Sequence, residues 1–229
     1  NQFTSFVLPT VDLPGFINWV DDEGNYIEGG TEVPIERFPT KLYRARVPYT
    51  LKDEDVEMDD NGYILSCSYH FQGSMITIPE KLDGIAVKGI ADGQNYLNPG
   101  PFSGKVMLSI QLPAGMEHIG DYSFFNNLIS AIDFPDSLSY LGAYSFATNL
   151  LESVVLPDKD LEMGRSVFTS NRITEVVFPE GITSIPNGFL AGNLLSSVVL
   201  PNSVLSIGTQ AFSQNNQLAG YILPSPEQS

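Results

Sequence analysis

Apolar and polar positions repeat along the second half of the chain with a constant step of 22 residues. Each unit ends in an alternating run such as Leu195-x-x-Val198-x-Leu200, and two-residue alternation is typical of a half-buried strand. A proline then ends the strand, because it cannot donate a ladder hydrogen bond. We therefore expect one short strand per unit. The prolines that mark the step are Pro113, Pro135, Pro157, Pro179 and Pro201, with Pro224 after 23 residues.

Three further columns keep the same step and predict the interior of each unit. The apolar column is Ile119, Leu141, Met163, Ile185 and Ile207, mostly followed by glycine. The aromatic column is Phe102, Phe124, Phe146, Phe168 and Phe212, with Leu190, next to Phe189, in the remaining place. The asparagine column is Asn127, Asn149, Asn171, Asn193 and Asn215. We expect the phenylalanines to form an internal spine and the asparagine amides to bond to the backbone of neighbouring turns.

A unit of 22 residues cannot bury its own apolar side, but stacked copies can bury it against each other. The pattern therefore predicts a right-handed repeat solenoid over residues 60–229, regular from 113 to 224, with short parallel strands on one side. The glycine column suits tight bends, and we expect helical or 3-10 turns after it. Asp160 interrupts an apolar column, and Leu161 replaces it after a slip, so the third repeat is the predicted weak point.

Residues 1–59 lack the period and are predicted to form a small β-rich N-terminal segment with an acidic linker. The strand-like runs are FINWV, NYIEGG and LYRARV, with DDEG (21–24) as a hairpin turn between the first two. The acidic run at 53–62 begins like a calcium-binding loop at Glu57, Asp59 and Asn61. It has Ser68 where the twelfth position requires a glutamate. We interpret the run as a solvated linker and leave weak cation binding open.

The charge balance changes which partners are plausible. The chain has 27 acidic and 11 basic residues, a net charge of −16 that repels phosphate backbones and anionic lipid surfaces. No apolar run reaches the roughly 20 residues that a membrane-spanning helix needs. The chain starts at Asn1, so we expect that a signal peptide has been removed. A lipid anchor would lie in that removed segment.

The sequence carries no arrangement of residues that points to catalysis. His70 and His118 lie on different turns, and His118 is expected to face solvent. Cys67 follows the apolar run YIL, which favours a buried small hydrophobe over a nucleophile. GPFSGKV (100–106) departs from a phosphate-binding loop in its spacing and at Val106. We therefore predict no enzyme activity, no metal site and no cofactor.

The run IGTQAFSQNNQLAGYILP (207–224) resembles the BspA-like, or Treponema pallidum type, leucine-rich repeat. This chain has Asn where that family usually has Cys. Residues 63–93 resemble the family's first turn, and QNYLNPG (94–100) then interrupts the array as an insertion. The resemblance implies a leucine-rich-repeat superhelix in a secreted or surface-exposed bacterial protein that adheres to host proteins or other cells. It implies no catalytic residues.

The N-terminal segment resembles the second half of a Listeria–Bacteroides repeat over residues 14–47. Trp19, Leu42 and Tyr43 match that pattern and Arg44 departs from it. Such modules accompany BspA-like repeats on surface proteins. We expect this segment to dock on the first turn of the solenoid.

Alternate residues of each strand should point outward and form two columns on the strand face. The second column contains Val155, Val177 and Val199, an apolar stripe that predicts a contact surface for a protein. The predicted binding residues are Asp133, Val155, Glu175, Val177, Ser197, Val199 and Ile222. A carbohydrate-binding surface protein and a structural stalk are the alternatives. Self-association through the last strand at the C-terminal edge is a further expectation.

Overall fold

The computed structural model describes residues 47–69, 74–159 and 161–220, together with the backbone of five short strands before residue 47. Those strands are β1 Ser5–Val7, β2 Asn18–Val20, β3 Tyr26–Ile27, β4 Glu32–Pro34 and β5 Arg44–Arg46. Strand β2 pairs antiparallel with β3 and with β5, so all three predicted strand-like runs are confirmed. Strand β1 pairs antiparallel with β4. The predicted turn at 21–24, His70, Asp160 and Ile222 lie outside the described residues.

The entry into the solenoid uses one 3-10 helix and seven strands. The 3-10 helix is Asp53–Asp55, and the strands are β6 Pro48–Thr50, β7 Val56–Met58, β8 Tyr63–Cys67, β9 Met75–Thr77, β10 Lys81–Leu82, β11 Ile85–Ala86 and β12 Gly89–Ile90. Strand β6 pairs parallel with β9, and β7 pairs antiparallel with β8. Residues 48–58 therefore contribute strands to the sheets of the first turn. The division of the chain at residue 59 stays a prediction.

The acidic run is not a solvated linker, because it forms β7 and the hairpin turn that leads into β8. Asp59 Oδ1 accepts hydrogen bonds from the amides of Asn61 at 3.0 Å and Tyr63 at 2.8 Å. These bonds, led by the one from Tyr63, hold the pKa of Asp59 below its ordinary value. Gly62 has a φ of +90°, which the turn requires. Glu57 Oε2 accepts from Ser66 Oγ across the hairpin at 3.0 Å.

The regular units contain two strands each, so the expectation of one strand per unit is wrong. On the predicted side lie β13 Ser109–Gln111, β16 Ser153–Val155 and β18 Glu175–Val177. At the isoleucine–glycine step lie β14 His118–Ile119, β15 Tyr140–Leu141, β17 Glu162–Met163, β19 Ser184–Ile185 and β20 Ser206–Ile207. Parallel pairing sets Ile119 against Leu141 and Leu141 against Met163. The parallel strands and the solenoid architecture are confirmed, while its hand stays a prediction.

The glycine column is explained by the closeness of successive turns. A Cβ atom built on Gly120 would lie 2.5 Å from the carbonyl carbon of Ala91. One built on Gly142 would lie 2.4 Å from the amide nitrogen of Asp121. Real side chains do not approach backbone this closely, so only glycine lets the turns stack at this corner.

The segments after the glycines are not helical, which corrects the prediction of helical or 3-10 turns. Left-handed residues recur there at intervals of four, with φ of +55° at Tyr122 and +58° at Asn126. They break any run of helical dihedrals. The amides of Tyr122, Phe124 and Asn126 instead donate to carbonyl oxygens of the next turn at 2.9, 2.8 and 3.0 Å. The same arrangement recurs in the following units, so these bends form a ladder of their own.

The phenylalanine spine is confirmed. Phe102, Phe124, Phe146 and Phe168 are fully buried, and successive ring centroids lie 5.5, 5.0 and 6.1 Å apart with nearly parallel planes. The next ring contact, at 5.3 Å, is made by Phe189 rather than by Leu190. Both residues are buried at this position. The spine therefore continues where the sequence column itself changes.

The asparagine column is the polar counterpart of this spine, and its predicted inward placement is confirmed. All five side chains are buried. In the central unit, Asn171 Nδ2 donates to Phe146 O of the preceding turn at 2.9 Å and to Phe168 O at 3.1 Å. Asn171 Oδ1 accepts from the amide of Leu151 at 3.0 Å. The other four asparagines repeat this pattern, so each amide joins two turns.

The stacking is interrupted beside the repeat that the sequence marks as weakest. The six-stranded sheet ends at β17, and β19 pairs only with β20 among the described strands. Gly164 and Gly208 donate to the preceding turn at 2.8 and 2.7 Å, whereas Pro186 at the equivalent place has no amide hydrogen. A cavity of about 370 Å³, lined in part by Leu161 and Met163, lies at this interruption.

Candidate binding surface

The strand face is built by the outward residues of β13, β16 and β18 and of the equivalent segments 131–133 and 197–199. Strand alternation buries Val154 and Val198, while the valines on either side of each strand centre point outward. Val155 is 61 % exposed, Val177 47 % and Val199 64 %. Val155 pairs directly with Val177, and Ser153 with Glu175. The three valines therefore form a continuous row, called the valine stripe below.

The other predicted binding residues lie on the same face or outside the described residues. Asp133, Glu175 and Ser197 are exposed. Glu175 shares its strand with Val177, two residues away, so both side chains leave the sheet on the same side. Ile222 belongs to the part of the chain that the structure does not describe.

A groove of about 920 Å³ occupies the N-terminal half of the strand face. Its walls include Thr77, Gln111 and Asp133 from three successive turns, with Glu80 and Asp136 near one side. Thr77 Oγ1 donates to Gln111 Oε1 at 3.3 Å, so part of this polar lining is already hydrogen-bonded. Residues 131–133 form no strand, and they lie between the sheet that ends at β13 and the sheet that begins at β16. Sequence reasoning missed this groove.

A second feature of the strand face is a column of carboxylates beside the valine stripe. Asp136, Asp158 and Glu180 each follow a proline of the repeat and are exposed. Consecutive members are 22 residues apart, which sets them on successive turns. Lys159 lies next to this column, and its Nζ donates to Ser137 O at 3.1 Å.

The opposite corner of each unit carries an aromatic row that sequence reasoning also missed. The His118 ring stacks on Tyr140 at 4.4 Å with an interplanar angle of 8°, and Tyr63 lies 5.3 Å away on the other side. His118 Nε2 lies 3.5 Å from Asp92 Oδ1. His118 is therefore half-buried in a stack, which corrects the expectation that it faces solvent. The 22-residue step from His118 to Tyr140 was the available signal.

The aromatic row has little to offer a carbohydrate, because its ring faces are turned toward one another. Tyr140 donates its hydroxyl hydrogen to Asp121 Oδ1 at 3.3 Å. Burial, together with the charge of Asp121, raises the pKa of Tyr140 to about 12. The tyrosine thus stays a neutral donor. Tyr122 and Tyr144 stack in the same way one column further on, at 4.9 Å.

The insertion at 94–100 forms an ordered loop that projects from the array. Asn95 Oδ1 accepts from the amides of Leu97 at 2.9 Å and Asn98 at 3.2 Å. These bonds fix a turn whose tip displays Tyr96 and Leu97, which are 68 % and 72 % exposed. After the loop the chain returns to its register, since Phe102 stacks on Phe124.

The chemical groups that could suggest catalysis are engaged in structure. Cys67 is a buried free cysteine, as predicted, and burial raises the pKa of its thiol. Lys105, from the loop-like motif at 100–106, donates to Cys67 O at 3.0 Å. Within residues 47–69, 74–159 and 161–220, no group of three or more His, Cys, Asp or Glu side chains could hold a metal ion. No helix of the described residues is long and apolar enough to cross a membrane.

The repeat register now decides the family. A model of the BspA-type leucine-rich repeat region matches residues 95–219 in six copies. The chain belongs to this family. In this BspA-type protein the asparagine ladder occupies the place at which the family pattern has cysteine, and it joins the turns through three short hydrogen bonds per unit.

Solved structures with the same kind of fold come from other bacteria. A leucine-rich-repeat protein of Bacteroides ovatus is 16 % identical with a TM-score of 0.57, over 83 % of this chain and 50 % of that one. A leucine-rich cell surface protein of Faecalibacterium prausnitzii is 19 % identical with a TM-score of 0.50, over 72 % and 52 %. The Treponema pallidum leucine-rich-repeat protein is 22 % identical with a TM-score of 0.45, over 76 % and 71 %.

The BspA-type chain thus spans about half the length of the first two of these structures. At such identities the likeness concerns the fold alone. No curated protein matches the chain.

Proposed function

We propose that this BspA-type repeat protein is a non-catalytic binding protein of the bacterial cell surface, which holds a protein partner against its strand face. The family supports a repeat protein without catalytic residues, and one structural neighbour is named a cell surface protein. The observation that carries the proposal is the valine stripe. Three aliphatic side chains that are half or more exposed stand in one row on an otherwise acidic protein.

The strand face suits a macromolecule better than a small molecule. It is an open surface that continues from the groove, through Asp133, to the valine stripe. Apolar rows of this kind commonly mark protein contacts. The finer proposal is adhesion to extracellular-matrix or cell-surface proteins of a host or of other cells. Here the partner would contact Asp133, Val155, Glu175, Val177, Ser197, Val199 and Ile222.

The test is binding to an array of purified extracellular-matrix proteins. The double variant Val177→Lys/Val199→Lys places two charges on the valine stripe without changing inward-facing residues. The matched control is Leu97→Lys/Leu205→Lys, because Leu97 and Leu205 are 72 % and 84 % exposed and lie off the strand face. Urea unfolding of all three proteins verifies that they fold.

We expect the wild-type chain and the control to capture the same matrix protein and the stripe variant to lose at least tenfold in affinity, about 1.4 kcal/mol. Equal capture by the stripe variant and the control would exclude the strand face. Loss of binding in the control alone would transfer the site to the loop at 94–100. Capture of none of the matrix proteins would count against adhesion to this class of partner.

A further inference from the structure

The strand face carries charge of one sign around its apolar row. Six exposed carboxylates border the valine stripe and the adjoining end of the groove: Asp133, Asp136, Glu152, Asp158, Glu175 and Glu180. They occupy the position before each strand, the outward columns and the two positions after each proline. Within the described residues of these positions, the one cationic side chain is Lys159, and its Nζ donates to Ser137 O.

The repeat sets these carboxylates in line. Asp136, Asp158 and Glu180 lie on successive turns, and strands of neighbouring turns are about 4.8 Å apart. Like charges at this spacing repel one another and produce a negative potential along the row. The repulsion is relieved when cations bind opposite them. The row runs parallel to the valine stripe, so apolar and acidic positions alternate across the face.

We propose that the partner's contact region is cationic as well as apolar, a protein segment in which Lys or Arg side chains flank aliphatic ones. This inference rests on the proposed function of the strand face and names the chemistry of its partner. Aliphatic side chains of that segment lie on the valine stripe. Its ammonium or guanidinium groups reach Asp158 and Glu180 on one side and Glu152 and Glu175 on the other.

A bound metal ion does not account for the same charges. A metal site needs several ligands that converge on one point. In the part of the chain that the structure describes, no three acidic, histidine or cysteine side chains converge in this way. The carboxylates follow a line across several turns. A linear array of anions is complementary to a linear array of cations, such as the side chains of a basic polypeptide.

The experiment compares two synthetic peptides, five repeats of Lys-Val-Ser and five repeats of Glu-Val-Ser, in titration calorimetry at 50 and 300 mM NaCl. The strand-face variant is Asp136→Asn/Asp158→Asn/Glu180→Gln. The matched control is Asp60→Asn/Glu117→Gln/Glu162→Gln, which removes three exposed carboxylates from other surfaces. Both variants change the net charge by three units, so nonspecific attraction by the acidic chain changes equally.

We expect the lysine peptide to bind the wild-type chain, the glutamate peptide not to bind, and affinity to fall with salt. We expect the strand-face variant to bind the lysine peptide about fivefold or more weakly than the control, as three exposed charge pairs would give. Equal weakening in both variants, or absence of lysine-peptide binding to the wild-type chain at 50 mM NaCl, would overturn the inference.

The matrix protein captured in the previous experiment separates this inference from the proposed function. If the valine substitutions abolish its capture and the strand-face carboxylate variant captures it normally, the strand face binds protein but the partner is not cationic. If neither variant changes its capture, the proposed function itself fails. If both weaken it and the control does not, both proposals stand.

Discussion

Removal of the Asn171 amide should destabilise the protein more than most single polar substitutions. Asn171 is buried, and it makes three bonds of 2.9 to 3.1 Å to the backbone of its own and the preceding turn. At about 1 kcal/mol net for each bond, Asn171→Ala loses about 3 kcal/mol. The loss reaches about 5 kcal/mol if the Leu151 amide and the Phe146 carbonyl find no water. A domain of typical stability has only about 5–15 kcal/mol in total.

The assay is urea unfolding followed by circular dichroism, with Asn202→Ala as control, since Asn202 is an exposed asparagine of the same array. The control should change the free energy of unfolding by less than about 0.5 kcal/mol. The isosteric variant Asn171→Asp keeps the acceptor for the Leu151 amide but loses both donors. Its new carboxylate would face two carbonyl oxygens, so protonation restores a donor and stability should fall as pH rises from 4 to 8.

The reasoning fails if Asn171→Ala unfolds within about 0.5 kcal/mol of the parent. That result would mean that water or backbone adjustment satisfies the freed groups. A flat pH dependence of Asn171→Asp relative to the parent would contradict the assigned orientation of the amide. In that case the nitrogen and oxygen would have to be exchanged, with the oxygen facing the carbonyl groups.

Four further outcomes follow from the same structure. Asn171→Cys should be less destabilising than Asn171→Ala in the same urea titration, because cysteine is the residue of the family pattern at this place. Phe146→Ala should lower the free energy of unfolding by about 3–5 kcal/mol, since its ring is fully buried between two others; a loss under about 0.5 kcal/mol would remove it from the core. Cys67 should react with a thiol reagent at pH 8 at least about tenfold more slowly in the folded protein than in urea, because its raised pKa leaves less thiolate; equal rates would show an accessible thiol. Hydrogen exchange should be faster at Thr183–Ile185 than at Tyr140–Leu141, because no ladder joins β17 to β19, and uniform exchange along the array would contradict this break.

The period of the sequence predicts those parts of the fold that depend on register. Phe124, Phe146 and Phe168 could be placed in the core because equivalent residues of stacked units must lie above one another. The asparagines could be placed inward because a polar column in an apolar frame needs backbone partners. The outward position of Val177 follows from strand alternation. All three rest on one symmetry, which the sequence displays directly.

The parts that were not predicted depend on interactions without a sequence signature. The two-residue strand at His118–Ile119 is too short to show alternation. Left-handed backbone at Tyr122 and Asn126 is uncommon for residues other than glycine, and inter-turn hydrogen bonds impose it. The groove arises because residues 131–133 leave the ladder, which no residue type in that stretch announces. The interruption at Pro186 was visible only as a substitution in the glycine column.

The central claim is that a partner binds the strand face of a stacked array, and two fluorescent reporters test it most directly. Because Cys67 is buried, an environment-sensitive dye can be attached selectively to Ser197→Cys on the strand face or to Leu205→Cys off it. Both are titrated with the matrix protein that the array experiment captures. The account predicts a saturable emission shift from the first reporter and none from the second. A shift from the Leu205→Cys reporter with an unchanged Ser197→Cys reporter would contradict it.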